Sequence, residues 1–177
     1  ARKPRLDHSL MVEEPGSDLE NGVAAVHPDK ADELGVMSAD IVRLRGKRSR
    51  ETLCTLEVDE KVPIGSVWLS RTTRDIVRTP AGQSLKVYHC DKVKPGLRVQ
   101  LSPVKDADGG LSIEEILEQV VKPHYVGAEA GGAGRPIHVG DIIRLRHGAS
   151  MVECHVDETE PRRRCLVTEE TELEMSD

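Results

Sequence analysis

The chain has 177 residues, 37% of them hydrophobic, with 15 Gly, 10 Pro and no Phe. That is enough chain to bury a core without disulfides, in one large domain or two small lobes. A formal charge of −6 and a pI near 5.7 argue against general attraction to nucleic acid or anionic membrane. No apolar run approaches the length of a spanning helix, and no signal-peptide pattern opens the chain.

The apolar content leans on Val, Leu and Ile, punctuated by Gly and Pro, so a mainly β fold with many turns is expected. Residues 22–26 form a first candidate strand. His27-Pro28-Asp29 then opens a helix of one or two turns over residues 29–34, closed by Gly35. Residues 40–45 alternate as a half-buried strand does, 46–50 make a basic turn, and 51–58 run back. Further strands are expected at residues 66–69, 85–90 and 97–101, with a seam between lobes near residues 91–96, where charges and turn residues interrupt the strands.

Ser112 and Glu115 have the spacing of a capping box. Ile113, Ile116, Leu117, Val120 and Val121 follow on one helical face, with Glu114, Glu115 and Glu118 on the other. Pro123 is expected to stop this amphipathic helix. The glycine-rich stretch 127–134 reads as a mobile surface loop. The acidic residues from 169 to 174 read as a linker, so a longer polypeptide is expected.

The sequence also echoes itself. Ala39-Asp40-Ile41-Val42-Arg43-Leu44-Arg45 returns about 100 residues on as Gly140-Asp141-Ile142-Ile143-Arg144-Leu145-Arg146. Each copy leads through a turn to a segment carrying a cysteine, Cys54 or Cys154, which suggests two β lobes. Cys90 and Cys165 complete the four cysteines; no CxxC pair exists, and reduced thiols in apolar surroundings are expected.

Catalytic and cofactor motifs are absent. Gly46-Lys47 is followed by Arg48 and lies between strands, so it is not a phosphate-binding loop. His147, Cys154 and His155 could approach one another, but neighbours on a strand point to opposite faces, which argues against a metal site. No nucleophile stands out. Arg43, Arg45, Lys47, Arg48 and Arg50 crowd one hairpin and Arg162-Arg163-Arg164 forms a second patch. Nucleic-acid modules interleave such charge with aromatics. Trp68, Tyr88 and Tyr125 all fall outside the basic runs, so these patches read as solvated faces or surfaces for an acidic partner.

Laid out in order, these segments resemble the amino-terminal domain of the valosin-containing-protein (cell-division-cycle) AAA ATPase family. The opening Leu10-Met11-Val12-Glu13-Glu14 resembles the family's first strand. Asp32-Glu33-Leu34, Asp40 and Gly46-Lys47-Arg48-Ser49-Arg50-Glu51 resemble its first hairpin, down to Cys54. Lys122-Pro123-His124-Tyr125 resembles the segment after its helix, and Arg135-Pro136-Ile137 with Gly140-Asp141-Ile142 its late hairpin. Glu158-Thr159-Glu160-Pro161 and Cys165-Leu166-Val167 resemble its last strands.

The resemblance implies a double-psi β-barrel lobe at residues 10–92 and a smaller four-stranded β-barrel lobe with one amphipathic helix at 97–174. Residues 1–9 and 175–177 would be flexible ends. It implies an adaptor- and substrate-recruiting domain, without enzymatic activity, metal or cofactor of its own. The parent would be a hexameric unfoldase, binding ATP and Mg in separate ATPase domains and extracting ubiquitylated proteins. Partners would be UBX-type domains, valosin-interacting helices, SHP-type peptides and ubiquitin, with no nucleic acid and no membrane insertion, and the isolated fragment would be monomeric. The compartment would be cytoplasmic with endoplasmic-reticulum recruitment or nuclear entry, or else an organelle such as a secondary plastid.

Carried over by position, the adaptor groove would comprise Glu20, Val23, Met37, Ser38, Thr55, Glu57, Lys94, Pro95, Gly134 and Arg135, and Arg78 and Arg146 would meet the ATPase ring. The family has aromatics where this chain has Met37, Pro95 and Gly134, an arginine at Ser38, and apolar residues at Thr55 and Glu57, so weaker binding of the usual adaptors is expected. Two rivals are the similar domain of a ubiquitin-fusion-degradation adaptor and a small double-psi-barrel enzyme. Against the enzyme, no Asp-Thr-Gly is present, and Asp106-Ala107-Asp108-Gly109 reads as a turn.

Overall fold

Residues 6–16, 18–126 and 134–177 are described by the computed structural model. In the first of its two units, residues 1–91, the strands are β1 (Ser9–Glu13), β2 (Val23–Val26), β3 (Ile41–Arg45), β4 (Glu51–Val58), β5 (Ser66–Leu69) and β6 (Ser84–His89). They close into a barrel in the order β1-β5-β2-β4-β3-β6. The pairs β1/β5 and β2/β4 are parallel and the other four antiparallel. Strand alternation sends Leu10, Val12, Val42, Leu44, Cys54, Leu56, Leu85 and Val87 inward, where all are buried. Each such Leu or Val is worth about 1.5–3 kcal/mol relative to exposure. All four residues of β5 are buried.

The short helix expected after β2 is α1 (Pro28–Leu34): the His27 ring accepts the Asp29 N–H at 3.0 Å and Gly35 closes it at φ 72°. A second helix, α2 (Arg71–Ile76), has no forerunner in the sequence reading. Ser70 caps it by accepting from the Thr73 N–H, while Thr72, Thr73 and Ile76 are buried. One turn and a half rich in Thr shows no apolar periodicity, which is why it is illegible locally.

The second unit, residues 92–177, contains β7 (Arg98–Pro103), β8 (Arg135–His138), β9 (Ile142–His147), β10 (Ser150–Glu160), β11 (Arg164–Val167) and β12 (Glu172–Met175). Instead of a four-stranded barrel, the described residues form an open four-stranded sheet, β12-β7-β10-β9, and a two-stranded ribbon, β11-β8. A register shift between Val156 and Glu158 interrupts the pairing of β10 with β7. Ser9 and Met175, expected in flexible ends, are strand residues held by ladder pairing to Lys86 and Leu101. Residues 127–133, read as a loop, lie outside the described residues.

The amphipathic helix is present, and its capping box is complete: Glu115 N–H donates to Ser112 Oγ and Ser112 N–H to Glu115 Oε1, both at 3.2 Å. It does not stop at Pro123. It runs as α3 (Ile113–Glu115), a π-helical segment (Ile116–Val121) and α4 (Lys122–Val126). Lys122 N–H reaches back five residues to Leu117 O. The wider turn shifts the carbonyls away from the position where a proline ring would strike them, and Pro123 needs no donor partner. Ile116, Val120, Val121 and Tyr125 pack with Val99, Leu101, Val152, Cys154, Cys165 and Val167 in this unit's core.

Candidate functional site

Six of the ten groove residues inferred from the resemblance belong to the first unit. Val23 opens β2 opposite Thr55 of β4, and Glu57 follows two residues along on the same outward side of β4. The turn carrying Met37 and Ser38 is tied to this strand, because Ala39 N–H donates to Leu56 O at 2.9 Å and Leu56 N–H to Asp40 O at 2.8 Å. Met37 is 70% exposed, the most open large apolar side chain described. Glu20 is joined to the patch by Val23 N–H donating to its carbonyl at 3.3 Å. The fold therefore gathers these six residues on one flank of the barrel.

The remaining four lie in the second unit, gathered around β11. Leu166 N–H donates to Lys94 O at 2.8 Å, Pro95 bridges to Leu166, and Arg135 pairs with Val167. Gly134 has φ 80°, and a Cβ there would lie 2.9 Å from Val167 O, so a bulkier residue would force the ribbon open. Lys94 and Pro95 are exposed and Arg135 half-buried.

Arg146 is exposed on β9, opposite Met151. Arg78 sits just past α2 at φ 50°, exposed, and with Arg71 and Arg74 it lines a surface cleft that Glu14 and Asp75 also border. The sequence reading missed Arg71 and Arg74. Their spacing with Arg78, three and four residues apart, was the available signal.

Tyr88, counted outside the basic patches in the sequence, stands beside Arg43, whose guanidinium lies 4.6 Å from the ring centroid. β6 lies between β3 and β1 in the barrel, which brings partners from both sides. The second is His8, with ring centroids 4.5 Å apart. Arg43 also pairs with Glu51 at 2.6 Å. Arg43 and His8 thus both lie against the Tyr88 ring.

All four cysteines are free thiols, three of them buried. Burial pushes the Cys154 thiol up to about 11, with the Glu153 carboxylate adding to the effect, and burial does the same to Cys165, to about 11. Such thiols stay protonated at neutral pH, which leaves them poor nucleophiles. Cys154 is buried while His155 beside it is exposed, so the two point to opposite faces of β10. Burial also drives the Tyr125 hydroxyl far above its usual range, an effect reinforced by the Asp141 carboxylate and opposed by Arg135. No protein-family model matches this chain.

Proposed function

We propose that this chain is an adaptor- and substrate-recruiting domain of a hexameric AAA ATPase that extracts and unfolds ubiquitylated proteins. The observation that carries the reading is the flank of the first barrel on which Val23, Thr55, Glu57 and the highly exposed Met37 meet. An exposed, flexible Met side chain on a rigid strand-and-turn frame can adapt to a partner's apolar surface. We take the barrel to be of the double-psi type, a view supported by its closed six-strand order with two parallel pairs. The four residues around β11 contribute a second recruiting patch. Arg78 and Arg146 serve docking to the ATPase ring.

The adaptor reading is tested by titrating labelled UBX-type domain and valosin-interacting helix against the chain and its Val23→Asp variant. A charge at Val23 would be desolvated by any ligand covering the patch, so binding should fall by on the order of a hundredfold with the fold intact. Arg135→Glu should weaken an acidic partner and reduce its salt dependence. Wild-type affinity in both variants together would defeat the assignment. In the full-length hexamer, Arg146→His should loosen docking of this domain to the ring without unfolding it.

A further inference from the structure

We propose that the cleft between Arg71, Arg74 and Arg78 binds a phosphate monoester carried on a peptide. Three guanidiniums line this one cleft of about 610 Å³, a volume within the range of small-ligand sites. Arg71 and Arg78 are exposed, and among the described residues neither side chain forms an ion pair. Arg74 is aimed by its own anchor, donating from Nη1 to Leu69 O at 3.2 Å. Three arginines and two carboxylates at one cleft leave one positive charge unmatched, which an arriving anion can neutralise.

The cluster is also held in place from beneath. Arg78 takes a left-handed backbone at φ 50°, a conformation a non-glycine residue adopts only where its surroundings impose it. Those surroundings are visible. Thr79 is fully buried, its N–H donates to Arg74 O at 3.1 Å and its hydroxyl to Val77 O at 2.9 Å. Gly46, from the turn after β3, lies so close that a Cβ would collide with Val77 O. The turn bearing Arg78 is clamped between its own hydrogen bonds and the neighbouring hairpin, so the backbone that presents Arg78 is fixed before any ligand arrives.

The lining decides the ligand class. A phosphate dianion offers three terminal oxygens to three guanidiniums, where a carboxylate offers two and half the charge. Glu14 and Asp75 at the same cleft leave the side chains with a single net positive charge. That suits one compact anion and disfavours an extended polyanion, which would be pressed against the carboxylates. No aromatic ring borders the cleft for a base to stack on, and the apolar lining is only Pro80 and Ala81, too little to enter a bilayer. The site lies within the first unit and does not depend on the adaptor reading, though it would compete with ring docking for Arg78.

The test titrates the whole 177-residue chain by fluorescence anisotropy with a labelled peptide pool bearing one central phosphoserine between randomised positions. The same pool with serine, and vesicles of phosphatidylcholine doped with phosphatidylinositol phosphate, are the comparisons. The phosphorylated pool should bind on the order of tenfold or more tightly than the serine pool. That gain should vanish in the Arg71→Ala, Arg78→Ala double variant, while Arg48→Ala, outside the cleft, leaves it unchanged. Trp68 fluorescence reports whether the variants stay folded. Should the double variant unfold, ¹⁵Nε shifts of Arg71, Arg74 and Arg78 in the unaltered chain on adding phenyl phosphate give the answer instead, and unmoved signals defeat the proposal. Equal binding of the two pools, or retained binding by a folded double variant, would overturn it. Preference for the doped vesicles would overturn the peptide assignment.

Discussion

The hairpin of residues 39–56 and that of residues 140–156 are built to the same pattern with different fittings. In both, an aspartate at the start of the hairpin accepts the N–H of the residue three before it: Asp40 Oδ2 from Met37 at 2.8 Å, Asp141 Oδ2 from His138 at 3.0 Å. In both, the residue before that aspartate is left-handed, Ala39 at φ 73° and Gly140 at φ 91°. Both place a cysteine opposite an inward aliphatic residue, Cys54 opposite Val42 and Cys154 opposite Ile143. Each carries an ion pair across the hairpin, Arg43 to Glu51 at 2.6 Å and Arg144 to Glu153 at 2.7 Å.

The differences lie at the turns. The second hairpin closes tightly, with His147 opposite Ser150 and Gly148 at φ 61° facing open space. The first closes over a 3-10 turn (Lys47–Ser49), with Gly46 N–H donating to Arg50 O at 2.8 Å. Its Gly46 has an ordinary negative φ of −99° and is glycine for another reason, the close approach of residues 77–79. One glycine answers to local backbone geometry and the other to a neighbour distant in sequence.

The largest effect should come from testing that contrast. Gly46→Ala places a methyl group against Val77 O and 2.6 Å from Thr79 Oγ1, which cannot both give way. It should cost the first unit about 3 kcal/mol or more, as overpacking against backbone does. Gly148→Ala meets only left-handed strain, about 1 kcal/mol. Denaturant midpoints followed through Trp68 for the first unit and amide exchange for the second measure both, and similar costs would erase the distinction.

Next in size are the aspartates. Asp141 is buried and Asp40 half-buried. Asp141→Ala strands the buried His138 N–H and should cost about 2–3 kcal/mol, against about 1 kcal/mol for Asp40→Ala, where water replaces the lost acceptor. A reversed order in urea denaturation would show that burial does not set the hierarchy.

The second unit should also be alkali-sensitive. Cys154 and Cys165 are pushed up to about 11 in the fold, above their ordinary value near 9. Their contribution is therefore complete below about pH 9 and is lost as pH rises toward 11. Amide exchange across that interval should show progressive opening of β10 and β11, and Cys154→Val should flatten the dependence.

The smallest effect expected is a gain. Ala39→Gly removes left-handed strain that Gly140 avoids in the other hairpin, partly offset by the greater freedom of glycine in the unfolded chain. A stabilisation of about 0.5 kcal/mol should appear as a raised midpoint of the Trp68 transition.

Periodicity and caps, which act within a few residues, made much of the fold legible beforehand: the alternation of β3 and β4, the Pro28-to-Gly35 limits of α1, the capping box of Ser112 and Glu115, and the echo that proves to be a repeated hairpin. The strand order, the closure of the first sheet and the openness of the second were decided by pairings between strands far apart in sequence, such as β1 with β5 and β12 with β7. The passage of a helix through Pro123 needed a π-turn supported by its packing against the second unit's core, whereas Pro by itself signals a stop. The candidate sites divide in the same way. Val23, Thr55 and Glu57 were nameable as residues, but only the parallel register of β2 and β4 makes them neighbours. Arg71 and Arg74 are ordinary arginines in the sequence, and join Arg78 at one cleft because a buried Thr79 and a side-chain-free Gly46 fix the turn that carries Arg78.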